Sequence, residues 1–165
     1  MPNAWKKGRG RLGALRPLLG KWIAEANSEM GHVRCTRVFD EVLNGAYVQL
    51  TARWEFGAVP AKMKERIPDA SRLAGRAYEE IALIGVDDGG ALCFWSFTSD
   101  GKSSQGALAD VSDIHRDAIG FEAKMPAGLA HMAYWPAEDG GFHWAVESKN
   151  AKGWRRFTEH HYRSA

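Results

Sequence analysis

The chain alternates apolar and polar side chains with a period of two residues from Gly20 almost to its last residue. This period places successive side chains on opposite faces of a β-strand, so that one face is buried while the other meets solvent. Ten segments follow the pattern, at residues 21–27, 32–43, 46–56, 76–86, 91–98, 102–110, 118–125, 129–135, 141–148 and 154–163. The sequence therefore predicts an all-β protein.

Short turn motifs separate many of these segments. Asn44-Gly45 is a two-residue hairpin signal, because a type I′ turn requires a positive φ at both central positions. Glycine-containing clusters at 87–90, 99–101, 138–141 and 150–153 are typical of further turns. Strands joined by hairpins pair antiparallel, and closing the sheet removes its unpaired edges. We therefore predict a single closed antiparallel barrel of about ten strands.

The length of 165 residues is typical of one domain, which we assign to residues 1–165. Residues 20–163 form the predicted barrel, and residues 1–19 form a basic N-terminal arm. Leucines at positions 12, 15, 18 and 19 have helical spacing, so we predict a short helix in the arm, interrupted by Pro17.

The charges of the chain are unevenly distributed. Residues 1–22 contain six basic side chains and no acidic one, although the formal charge of the whole chain is only +2. We interpret the arm as a solvated segment and expect no nucleic-acid partner. Attraction of the arm to an anionic membrane surface or a nucleic acid stays open as the alternative.

Cysteine and hydropathy patterns bear on the compartment. Cys35 and Cys93 lie in strand-like segments without a C-x-x-C motif, so we expect two buried thiols and a reducing, cytoplasmic setting. The sequence shows neither a signal peptide nor a run of about 18 apolar residues. We therefore expect no stable membrane insertion.

Three patches resemble the lipocalin-like bacterial proteins of unknown function within the calycin superfamily. The segment LLGKW at 18–22 is similar to the L-x-G-x-W start of that family. The segment YEEIALIGVD at 78–87, followed by SDG at 99–101, resembles its central hairpin, and WRRFTEHHYR at 154–163 resembles its closing strand. The resemblance spans about residues 15–163 and implies a closed barrel with a helix near one end.

The resemblance also implies a structural role for the first strand. In calycins the tryptophan of the Gly-x-Trp motif packs under an arginine of the last strand, which assigns this role to Gly20, Trp22 and Arg163. Arg155 and Arg156 are the alternatives to Arg163. A guanidinium over an indole ring is a favourable contact of about 0.5–2 kcal/mol. We expect Trp22 to close the barrel rather than to contact a ligand.

Aromatic and polar side chains on the strands suggest a ligand cavity. Inward rings would form the apolar wall of a small-molecule site, with a few polar groups that orient one end of the ligand. We predict a small hydrophobic or amphipathic ligand and name as its candidate contacts Gln49, Arg53, Trp54, Glu80, Trp95, Phe121, His131 and Trp144. The alternative is that the rings simply fill the barrel. A homodimer stays open, as does a role as a structural module that binds a protein partner.

Two further functions compete with simple binding. An inward carboxylate would serve as the general base of an isomerase, cyclase or hydratase acting on a hydrophobic metabolite. The resemblance extends distantly to nitrobindin-type barrels, which hold haem through a histidine of a late strand, and this implies His160 or His161 as the iron ligand. Alternation allows only one of these two rings to point inward. Our main prediction includes no cofactor and no metal site.

Overall fold

The computed structural model describes residues 5–28, 31–57, 77–125 and 128–165, and these residues form one closed antiparallel barrel. The prediction of an all-β barrel is confirmed. The ten strands found in the described residues are β1 Gly20–Ser28, β2 Gly31–Val42, β3 Tyr47–Phe56, β4 Ala77–Val86, β5 Leu92–Thr98, β6 Ser103–Ala109, β7 Ile119–Met125, β8 Gly128–Pro136, β9 Phe142–Asn150 and β10 Gly153–Ser164. Each strand pairs with its neighbours in the chain, and β10 pairs with β1 to close the barrel.

The turn between β2 and β3 has the left-handed backbone that its sequence predicts. The φ angles are 59° at Asn44 and 78° at Gly45, and Leu43 adds a third positive value of 52°. The amide of Ala46 donates to the carbonyl of Leu43 at 3.2 Å, which closes the turn. The connection between β3 and β4, at residues 58–76, lies outside the described residues.

The N-terminal arm closes one end of the barrel. Its helix is a 3₁₀ helix, Gly13–Leu18, that contains Pro17, and it is neither long nor apolar enough to cross a membrane. Leu15 and Leu18 have no exposed surface, so they seal the barrel at the end where β2 turns into β3. In the described part of the chain, the opposite end, where β7 turns into β8 and β9 into β10, is open.

Trp22 lies at the closed end, but the expected arginine contact is absent. The indole N–H of Trp22 donates to the carbonyl of Leu18 at 2.7 Å, and its ring meets Phe142 edge-on at 4.9 Å. Arg163 pairs with Ile23 on the outer face, is 75% exposed and forms an ion pair with Asp139. Strand alternation therefore turns Arg163 away from Trp22, and a backbone carbonyl and an aromatic ring take its place.

The two alternatives to Arg163 are no better placed. Arg156 lies on the outer face in an ion pair with Glu147, and Arg155 is exposed. Among the described residues, no cation lies over the Trp22 ring.

Candidate functional site

The open half of the barrel contains a cavity of about 440 Å³. Most of its wall is apolar and comes from inward side chains of five strands: Leu50, Ala82, Ile84, Phe94, Phe121 and Val146. Phe157, beside a bulge in β10, and Met125, at the end of β7, stand at the mouth, and both are substantially exposed. A volume of this size lies in the range of pockets that hold a small organic molecule.

Polar residues interrupt the apolar wall, and Ser148, Lys149 and Asn150 add others at the mouth. Glu80 of β4 points inward, between Ala52 of β3 and Thr98 of β5. The hydroxyl groups of Ser96, Ser104 and Tyr134 also face the cavity. Among the described residues, no hydrogen bond or ion pair reaches the Glu80 carboxylate.

A buried arginine lies beneath this cavity. Arg37 of β2 is 1% exposed, and its Nε donates to the hydroxyl of Tyr162 at 3.1 Å. Its Nη1 donates to the hydroxyl of Tyr134 at 2.8 Å. The guanidinium carbon lies 4.1 Å from the centre of the Trp144 ring and 5.5 Å from that of Trp54, which makes a cation–π cage.

Arg37, Tyr134, Tyr162, Trp144 and Trp54 form a packed layer across the barrel. Burial controls the protonation of its polar groups. Loss of solvent raises the pKa of Tyr162 to about 12 and raises that of Tyr134 still further, although the positive charge of Arg37 opposes both shifts. Burial alone would lower the pKa of Arg37, but the oxygens of Tyr134, Tyr162 and Glu80 raise it above its ordinary value. The layer therefore consists of one cation held by two neutral hydroxyl groups, with Glu80 as a nearby counter-charge.

Two nitrogens near Arg37 lack partners. The indole N–H of Trp144 is close enough to favour the ionised form of Tyr134, but it has no acceptor in hydrogen-bonding geometry. The Nδ1 of His160 is also buried without a partner. Burial first, and then the charge of Arg37, lower the pKa of His160, so its ring is neutral at neutral pH.

Half of the predicted ligand contacts lie inside the barrel. Glu80 and Phe121 are part of the cavity wall. Trp144 and Trp54 belong to the cage around Arg37 instead, and their ring centres are 6.4 Å apart. The packed layer and the open cavity thus divide the interior, so the inward aromatic rings both fill part of the barrel and line a void.

Of the other four predicted contacts, Gln49, Arg53 and Trp95 point outward, whereas His131 borders the cavity with its ring turned to the outer face. Arg53 forms ion pairs with Glu55 and Glu79, at 3.2 and 2.8 Å, and Gln49 contacts Thr51 on the same outer face. Trp95 meets the ring of Tyr47. His131 bonds Glu122 at 2.8 Å and stacks on Trp154 with ring centres 3.9 Å apart. On each of these strands, the predicted side chain belongs to the set that faces outward.

The histidines of the closing strand do not fit a haem in the cavity. His161 lies on the outer face, where it bonds Asp139 at 3.1 Å and stacks against His143. His160 points inward but is not part of the cavity wall, because Trp144 and Tyr162 flank it beside Arg37. Within the described residues, no group of three or more His, Cys, Asp or Glu side chains is placed to hold a metal ion.

Sequence reasoning missed Arg37, Tyr134 and Tyr162 as interior polar groups. The signal for Arg37 was present, because it shares the phase of Val33, Cys35 and Phe39 on β2. A charged residue in the apolar phase of a strand predicts a buried polar site.

A second groove lies outside the barrel, between the arm and the β2–β3 turn, with a volume of about 750 Å³. Arg9, Arg11 and Arg16 line it together with Glu41, and none of these four forms an ion pair with a described residue. All four side chains are exposed, so water screens their charges and they do not make a desolvated binding site. We therefore place the candidate site inside the barrel.

Comparison with known proteins adds no assignment. No family model matches the chain, and no curated protein sequence matches it at a significant level.

Proposed function

We propose that the protein binds a small hydrophobic or amphipathic molecule in the open half of the barrel. The supporting observation is the cavity of about 440 Å³, which has a mostly apolar wall that includes the polar groups of Glu80 and Tyr134. Apolar burial supplies the binding free energy, at about 25 cal/mol for each Å² removed from water. The few polar groups fix the orientation of the ligand.

Binding of Nile red, a neutral dye whose emission rises in apolar surroundings, tests this proposal. Ala130 lines the cavity, so Ala130→Phe places a ring inside it. Thr51→Phe adds the same ring to the exposed outer face of β3 and is the matched control. We expect wild type and Thr51→Phe to bind the dye alike, and Ala130→Phe to bind it at least about tenfold more weakly.

Native mass spectrometry of the purified protein gives an independent measurement, since a retained ligand adds a discrete mass. A wild-type protein that carries no added mass and binds no dye would show that the barrel is not a binding site. Equal dye affinity in wild type and Ala130→Phe would place the binding site elsewhere.

A second candidate function rests on Glu80 as a proton acceptor. An unpartnered carboxylate that faces an apolar cavity is positioned to remove a proton from a bound hydrophobic metabolite. An isomerase, cyclase or hydratase of this kind would convert the ligand identified by mass spectrometry, and Glu80→Gln would abolish the conversion. A ligand recovered unchanged after incubation with wild type would exclude this activity toward it.

A further inference from the structure

Glu80 is the charged group that meets the inner part of the cavity. Its carboxylate faces the void from β4, half-buried, without a hydrogen bond or ion pair to any described residue. Lys149 also borders the cavity, but it is exposed at the mouth, where its amino group lies 5.9 Å from the centre of the Trp154 ring. A ligand that enters the barrel past Lys149 therefore meets a negative charge in the cavity wall.

Arg37 lies behind the cavity wall and attracts the Glu80 carboxylate electrostatically. The guanidinium is part of the packed layer, where two tyrosine hydroxyl groups and the Trp144 ring hold it. Arg37, Ala52 and Glu80 lie in one row across β2, β3 and β4. Arg37 and Glu80 interact electrostatically, yet they do not approach within ion-pair distance. The cation thus attracts the carboxylate across the packed layer, while no described residue donates a hydrogen bond to either carboxylate oxygen.

An ionised carboxylate beside an apolar wall is costly unless a donor reaches it. A charged or strongly polarised N–H or O–H group satisfies this need best, because hydrogen bonds to ionised groups are the strongest ones. A ligand carboxylate in the same place would set two like charges together, which is unfavourable. The hydroxyl groups of Ser96 and Tyr134 suit either kind of ligand, so Glu80 decides the preference.

We propose that the cavity selects an amphipathic molecule whose polar end is an ammonium group, and that Glu80 is the side chain that binds it. This inference rests on the proposed function, since it assigns a ligand class to the same cavity.

Three ten-carbon probes that differ only in their polar end test the selection. Decylamine, decanol and decanoate are used to displace Nile red at pH 7.5, each below its micelle concentration. We expect wild type to bind decylamine most tightly, decanol next and decanoate least, with about a tenfold difference between the amine and the carboxylate. In Glu80→Gln the preference for decylamine should disappear, while the affinity for decanol changes by less than about threefold.

Glu79→Gln is the matched control, because Glu79 is the preceding residue and lies on the outer face in an ion pair with Arg53. This variant should keep the wild-type order of the three probes. Equal or tighter binding of decanoate in wild type would overturn the inference and would favour Lys149, the cation that borders the cavity, as the partner of the head group. Equal effects of Glu79→Gln and Glu80→Gln would also overturn it. Failure of the dye and all three probes to bind wild type would instead refute the proposed function.

Discussion

The guanidinium of Arg37 is buried in the barrel without a carboxylate in contact. Two charge-assisted hydrogen bonds to Tyr134 and Tyr162 and the face of Trp144 replace the water that the cation loses. Glu80 adds an electrostatic attraction to the guanidinium without a direct contact. Because these partners come from β4, β8, β9 and β10, one side chain ties the two sides of the barrel together.

Removing this side chain should destabilise the whole fold. Arg37→Ala leaves two buried hydroxyl groups without their donor and opens a void, so we expect the free energy of unfolding to fall by about 3 kcal/mol or more. Arg37→Met keeps most of the volume and should cost less. Urea unfolding measures both, with Arg34→Ala on the outer face of the same strand as control. A loss below about 1 kcal/mol for Arg37→Ala would contradict this account.

His160 should make stability depend on pH. Its pKa is lowered in the folded barrel, first by burial and then by Arg37, from the ordinary value of 6.5. Below pH 6.5 the unfolded chain therefore binds a proton at His160 more readily than the folded barrel does. The contribution of His160 to the free energy of unfolding is complete above pH 6.5 and is lost as the pH falls toward the folded pKa. Burial lowers the pKa of His143 too, which adds a loss of the same sign.

Urea unfolding between pH 7.5 and 5.5 measures this dependence. His160→Phe should flatten the slope, by at most about 1.4 kcal/mol per pH unit. Thr51→Phe, which adds a ring at an exposed position and removes no titratable group, serves as the comparison and should keep the wild-type slope. An unchanged slope in His160→Phe would show that this ring does not titrate differently on folding.

At the scale of elements, the N-terminal arm and β1 act as one unit at the closed end. Leu18 is fully buried, and its carbonyl accepts the hydrogen bond of Trp22, the residue two positions into β1. Trp5 extends the contact, since its ring lies 6.5 Å from that of Phe142 and its N–H donates to the carbonyl of Asp117. The arm is therefore a structural plug, although its surface carries the basic charges.

Truncation of a plug residue tests this role. We expect Leu18→Ala to lower the free energy of unfolding by about 2–4 kcal/mol, because the side chain has no exposed surface and its loss leaves a cavity. Leu19→Ala, at the neighbouring half-buried position, should have a smaller effect. Thermal or urea unfolding compares the two variants, and equal losses would mean that Leu18 does not pack as the plug.

At the scale of the whole molecule, the barrel closes at a short seam. Within the described residues β1 and β10 share two paired positions, Trp22 with Ser164 and Ile23 with Arg163, and the amide of Ala165 adds a bond to Lys21. The β2–β3 hairpin has ten paired positions. Opening the barrel at the seam therefore breaks fewer backbone hydrogen bonds than opening it elsewhere.

Hydrogen exchange under native conditions measures this difference. Amides of residues 163–165 should exchange by local opening, at least about tenfold faster than the paired amides between β2 and β3. The proposed binding of decylamine in the cavity lies away from the seam, so added decylamine should slow exchange mainly around the cavity. Equal protection of the seam and the hairpin would show that the barrel opens only by global unfolding.

Much of the architecture could be predicted from local pattern. Period-two alternation fixes strands, and Asn44-Gly45 fixes a left-handed turn, because both depend on backbone geometry within a few residues. Hairpin connections then imply an antiparallel sheet that closes on itself. The sequence by itself thus determined the fold class, the strand count and the position of Trp22 in the interior of the first strand.

Only the tertiary structure decided which phase of each mixed strand faces inward. Gln49, Arg53, Trp95 and His131 alternate with equally plausible neighbours, and pairing across strands selects between the two phases. The same holds for Arg37 and Glu80, which are 43 positions apart in the chain and share a row only because β3 lies between their strands. A cavity with a charge in its wall is a property of closure, which no local pattern encodes.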